Sequence, residues 1–160
     1  MTAVRERESD AHWMRHALAA AHEARERDEV PVGTCIVADG DVLAVAGNRT
    51  RTDADPTAHA EIVALREAAR KMGNYRLTDA VVYSTIEPCV MCAGALIQAR
   101  VRRLVYGARD ERAGAVESHF RVCDTEFLNH RIEVCAGVLD EECRGLMQEF
   151  FRARRMVSQK

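Results

Sequence analysis

The chain has 160 residues, the usual size of one domain, and its 48% hydrophobic and 30% charged content is that of a folded globular protein. A formal net charge of -2 argues against indiscriminate coating of nucleic acid, and no apolar run approaches the ~18 residues that would cross a bilayer. The N-terminus carries no signal-like stretch, so a cytoplasmic protein is expected, with six cysteines kept reduced rather than paired in disulfides.

One domain is expected over residues 1–160, with residues 1–9 polar and disordered. Asp10 is the expected N-cap of a first helix to about Arg27, with Trp13, Met14, Ala17, Leu18 and Ala21 at helical spacing. Beyond the Val30-Pro31-Val32-Gly33 turn, T-C-I-V-A and D-V-L-A-V-A flank Asp39-Gly40, a tight-turn signal that predicts a hairpin. Asp55-Pro56-Thr57 marks the start of a helix to about Met72, closed by Gly73-Asn74. A-V-V-Y-S-T reads as a buried strand, Pro88 opens a helix to about Ala99, and R-L-V-Y-G-A is the next strand. I-E-V-C-A-G-V-L supplies a last strand. Asp140 to Arg155 is the last helix, with Cys143, Leu146, Met147, Phe150 and Phe151 as its apolar face.

Strands alternating with helices in this way imply a partly parallel sheet covered on both sides. The expected fold class is α/β: a three-layer α/β/α sandwich with a central mixed sheet. From Arg144 to Lys160 five basic residues face one acid, a local +4 that ordinarily marks a solvated helix end.

The chemistry concentrates in two short segments. Cys89 and Cys92 have chelate spacing and fall at the positive end of a helix, where thiolates are favoured, whereas Cys35, Cys123, Cys135 and Cys143 are scattered singly and read as packing. A-H-A-E puts His59 and Glu61 in the first turn of another helix. If the two helices enter side by side, His59, Cys89 and Cys92 converge on one zinc, and no other histidine sits in a ligand motif. Three protein ligands leave a vertex for solvent. Glu61 would then serve as general acid/base, a role that a structural zinc site does not need. Taken alone, C-x-x-C also fits a zinc knuckle or a redox pair, and H-x-E a wet helix face; H-x-E followed by P-C-x-x-C is the signature of zinc nucleobase deaminases.

On these residues, and on W-M-R-H-A-L, E-V-P-V-G, D-P-T-A-H-A-E-I, N-Y-R-L, E-P-C-V-M-C-A-G-A, G-A-R-D, L-N-H-R and F-F-R-A-R-R in the same order, the chain resembles the bacterial tRNA-specific adenosine deaminases of the cytidine deaminase-like superfamily. The resemblance covers nearly the whole chain. It implies hydrolytic deamination of adenosine to inosine at the wobble position of a tRNA, most often an arginine tRNA, by a homodimer holding one Zn2+ per subunit. It implies further that Asn48 and the Ala60 backbone hydrogen-bond the flipped base, that Val30 and Ile86 line its pocket, and that Asp110 sits near the ribose. Phe151, Arg152 and Arg154 would hold the tRNA anticodon stem-loop. Ordinary alternatives stand beside these roles: Asn48 ending the hairpin, Asp110 capping a turn, Phe151 in the core. Ile86 stands where leucine is usual, and Glu117 where glycine often precedes the serine. Two rival functions share the motif residues: a deaminase of a free base or nucleoside of guanine or cytosine type, and a non-catalytic zinc-stabilised binding module.

Overall fold

The structure is a computed structural model that describes residues 3–159. The elements run α1 (Ala3–Glu26), β1 (Gly33–Ala38), β2 (Asp41–Gly47), α2 (Ala60–Met72), β3 (Val81–Ile86), α3 (Val90–Gln98), β4 (Arg103–Ala108), a 3-10 turn at Val122–Asp124, β5 (Glu133–Ala136) and α4 (Asp140–Ser158). The sheet order is β2-β1-β3-β4-β5. The hairpin β1–β2 is antiparallel, β1 meets β3 antiparallel, and β3, β4 and β5 run parallel. The sheet is therefore mixed, as expected.

Alternation along each strand sorts the helices onto two faces. Ile36, Val82, Leu104 and Tyr106 pack with Ala64 and Leu65 of α2 and Ala93 and Leu96 of α3. Their neighbours Cys35, Val37, Val81, Tyr83 and Val105 pack with Met14, Ala17 and Leu18 of α1 and Cys143 and Leu146 of α4. Three layers result. The hairpin turn takes Asp39 and Gly40 to φ 51° and 80°, the conformation that makes Asp-Gly a tight-turn pair. Gly73 ends α2 with φ 65°, its N–H bonded to the Ala69 and Arg70 carbonyls.

Two expectations are corrected. Helix α1 starts at Ala3, not at Asp10, so residues 3–9 are helical; Met1 and Thr2 lie outside the described residues. The segment A-V-R-E-R-E-S is rich in good helix formers and needs no burial to continue a helix already anchored behind it. Asp10 is then no cap but a buried mid-helix acid, which takes a bidentate bond from Arg103 (2.7 and 2.9 Å) and one from the Tyr83 hydroxyl (2.9 Å). Pro88 likewise falls one residue before the cap of α3, because Cys89 is the N-cap. No described helix is long and apolar enough to cross a membrane.

Candidate active site

The sheet sets the position of two helix starts. Strand β3 ends at Ile86, and three residues later Cys89, with extended backbone (φ -73°, ψ 176°), begins α3. Helix α2 begins the same way at His59 (φ -67°, ψ 153°), after Asp55 closes a turn by accepting bonds from the Thr57 N–H (2.8 Å) and hydroxyl (2.7 Å). Neither His59 nor Cys89 caps its own helix with its side chain. Both turn toward each other instead.

His59 Nδ1 lies 3.6 Å from Cys89 Sγ and 3.5 Å from Cys92 Sγ. A tetrahedral zinc with bonds of about 2.3 Å to sulfur and about 2.0 Å to nitrogen sets its nitrogen and sulfur ligands about 3.5 Å apart. These three side chains therefore fit the ion, and among the described residues they form the one His/Cys/Asp/Glu group close enough to hold a metal. One of the two sulfurs is already poised for it. Hydrogen bonding from Cys92 holds the Cys89 thiol down to about 3, while the same bond and burial push Cys92 up. A thiolate thus waits at the positive end of α3.

Glu61, in the first turn of α2, is only 4% exposed. Its Oε2 lies 3.6 Å from Cys92 Sγ, and its Oε1 lies 3.2 Å from Ser84 Oγ, whose other neighbour is the Ile86 carbonyl at 2.9 Å. Burial raises its carboxyl above the ordinary glutamate value, against the His59 charge and the Ser84 bond, which lower it. A carboxyl in this state exchanges protons more readily near neutral pH than an exposed glutamate does.

The His59–Cys89–Cys92 cluster opens into a cavity of about 1520 Å³. Val30, Asn48, His59, Glu61, Ile86, Cys89, Asp110, Phe151, Arg152 and Arg154 all line it. Cys92 and Ala60 are fully buried just behind that wall. Phe151 is 41% exposed and stands on the cavity rim, so it is not part of the core; Phe150 takes that place at 5%. Asp110 Oδ1 accepts bonds from the Arg112 and Ala113 N–H groups, and so its local-turn role is present in the structure. Arg154 stacks over Phe150, 4.5 Å from the ring centroid, and pairs with Asp28 at 2.9 Å.

Sequence reasoning missed several residues that line or support the cavity. Glu87 is 2% exposed and accepts bonds from the N–H groups of Val116 (3.2 Å), Glu117 (3.0 Å), Ser118 (3.0 Å) and Asp110 (3.3 Å) and from the Ser118 hydroxyl. It fixes the loop that carries Arg109 and Arg112 to the cavity. Glu29, fully buried, does the same for the loop after β2. Glu117, the departure noted above, accepts a 2.7 Å bond from the Tyr106 hydroxyl. Glu87 had one visible signal, its place in E-P-C; nothing in the sequence showed that it or Glu29 is buried.

Comparison with known proteins adds to this geometry. The profile of the MafB19-like deaminases matches residues 8–155. The tRNA-specific adenosine deaminase of Agrobacterium fabrum is 47% identical over 145 residues, covering 91% of this chain and 95% of its own. This chain belongs to the tRNA-specific adenosine deaminase family. A deaminase structure solved in work on A-to-I editing by tRNA:A34 deaminases at the wobble position of transfer RNA superposes with a TM-score of 0.82 at 47% identity, over 84% of this chain and 98% of that one. A guanine deaminase from Nitrosomonas europaea shares the architecture of this deaminase at a TM-score of 0.73 and 27% identity, over 88% of this chain and 83% of its own.

Proposed function

We propose that the chain is a zinc-dependent hydrolase that converts adenosine to inosine at the wobble position of a tRNA, an arginine tRNA by family resemblance. One observation carries this reading: His59, Cys89 and Cys92 have tetrahedral N···S spacing beside a buried glutamate, at the floor of a cavity rimmed by arginine. One zinc per subunit, held by those three side chains, would supply Lewis-acid activation of water at neutral pH.

The remaining work falls to the protein. Glu61 takes a proton from the attacking water as its oxygen bonds to C6 and delivers that proton to N1 of the purine; it then takes the remaining proton from the C6 hydroxyl, as C6=O forms, and passes it to the exocyclic nitrogen. The C6–N bond breaks and ammonia leaves. Val30 and Ile86 enclose the flipped base, Asn48 and the Ala60 backbone hydrogen-bond it, and Asp110 lies on the ribose side. Phe151, Arg152 and Arg154 belong to the RNA-holding rim. The volume favours RNA over a free base: about 1520 Å³ exceeds the ~300–1,000 Å³ typical of small-ligand clefts, and six arginines line it. The guanine-deaminase likeness keeps a free-base substrate as the second reading.

The partners proposed are a tRNA anticodon stem-loop and a second copy of the chain, in the cytoplasm. The exposed apolar side of α3, where Val90 is 59% exposed, supports a homodimer. Glu61→Gln tests the chemistry. Inosine formation on a stem-loop should drop at least ~10³-fold in kcat, while zinc content stays at one ion per chain. Turnover within tenfold of wild type would end the assignment of Glu61.

A further inference from the structure

Glu29 is fully buried behind the cavity wall and takes no part in the proposed chemistry, yet it faces Asn48, a side chain that lines the cavity. Its Oε1 accepts bonds from the N–H (2.6 Å) and hydroxyl (3.0 Å) of Thr52. Its Oε2 accepts bonds from Asn48 Nδ2 (3.2 Å) and the Thr50 hydroxyl (3.3 Å). Asn48 Nδ2 also lies 3.2 Å from Thr50 Oγ1.

An ionised carboxylate only accepts hydrogen bonds, so the amide end that meets Glu29 has to be the NH2. The Thr50 hydroxyl spends its one hydrogen on Glu29 and offers a lone pair to the second Asn48 hydrogen. Both amide hydrogens are then engaged. Asn48 is 6% exposed and lines the cavity, so the end left for a ligand is the carbonyl. The geometry points to Glu29 as a positioning residue that locks the Asn48 amide with its carbonyl toward the cavity, so that the bound nucleoside must supply a hydrogen-bond donor there. This rests on the functional reading above and adds a polarity to it.

Exchanging the two side-chain types tests the idea. In Glu29→Gln the new carbonyl can still accept from Thr52, but its NH2 confronts the Asn48 NH2 and drives that amide to flip. KM for an adenosine anticodon stem-loop should rise about tenfold, with kcat within about threefold of wild type. Asn48→Asp sets two carboxylates face to face and should do at least as much harm. Combining Glu29→Gln with Asn48→Asp restores the pattern: the amide introduced at position 29 donates to the carboxylate introduced at position 48, which keeps one acceptor oxygen on the cavity side, and KM should return to within about threefold of wild type. A tie to the Thr50–Thr52 loop alone does not predict that rescue.

A wild-type KM in Glu29→Gln, or a double variant no better than the worse single one, overturns the proposal. If Glu29→Gln does not fold, the double variant decides alone: a near-wild-type KM supports the lock and a tenfold rise overturns it. A stem-loop with 2′-deoxyadenosine at the edited position identifies the donor. Loss of the wild-type advantage there assigns it to the ribose hydroxyl, and its persistence to the rest of the nucleoside; both are consistent with the lock. If wild-type protein makes no inosine, the functional reading falls instead. The melting temperatures of the four proteins without substrate then decide the amide's orientation, with rescue in the double variant supporting it and additive losses overturning it.

Discussion

Glu29, Glu61 and Glu87 are 0%, 4% and 2% exposed, yet only Glu61 was legible in the sequence, because its spacing from His59 belongs to a motif. The other two do their work through backbone amides and hydroxyls of loops that lie near them only in the fold. The single cysteines were readable for the opposite reason, since they take part in nothing: burial pushes the Cys35, Cys123 and Cys143 thiols up to about 12, 11 and 12. Glu87 gives a pH prediction. Burial pulls its carboxyl upward, but the Ser118 hydroxyl and the N–H groups of residues 116–118 outweigh it, so the folded value lies below the ordinary one. Its contribution to stability is therefore present above the unfolded value of about 4.3 and is lost as pH falls through the folded value. Glu87→Gln should cost about 2 kcal/mol at pH 7, where an amide NH2 meets backbone N–H groups. Calorimetry should find that gap closing below about pH 4.3, and a gap independent of pH would contradict the account.

At the level of elements, periodicity and turn chemistry located the hairpin, α2, α3 and the strands between them, because their signals are local. Helix α1 was misjudged at its start for two reasons, the helix propensity of residues 3–9 and a pairing made far along the chain. Asp10 has the side chain of a cap, but its partner Arg103 is 93 residues away, and no pattern within the helix reveals that pair. The seam between α1 and β1 depends on a residue with no side chain. At Gly33 a Cβ would run into the Ala17 carbonyl and the Ala21 amide nitrogen, both backbone atoms that can yield only if the whole helix moves. Gly33→Ala should therefore lower stability by about 3 kcal/mol, as overpacking does in a tight interior. Urea unfolding checks this: a midpoint equal to wild type would mean that α1 does not sit against β1 as described.

For the whole molecule, the layer order followed from alternating strands and helices, and the position of the site followed from two helix starts beside a mixed sheet. The cavity's residues Val30, Asn48, Ile86 and Asp110 were reached through the resemblance and not through any local pattern, since its walls come from α2, β3, β4, α4 and the loops before β1 and after β2. The basic tail also changes meaning in three dimensions. Arg152 and Arg155 line the cavity together with Arg109 and Arg112, whereas Arg154 is partly spent on Asp28. Replacing Arg152 by alanine should weaken stem-loop binding and reduce the slope of log Kd against log salt by about 0.7, the share of one contact to single-stranded phosphate. An unchanged slope in fluorescence anisotropy would remove Arg152 from the RNA-holding surface. The central claim is that three metal ligands and one buried carboxyl act on an adenosine presented by folded RNA. The most direct measurement is chromatography of nucleosides released after incubating the zinc-loaded protein with an anticodon stem-loop bearing adenosine at the wobble position, in parallel with free adenosine, guanine and cytidine. The account predicts inosine from the stem-loop alone; product from a free base or nucleoside, with the stem-loop untouched, would contradict it.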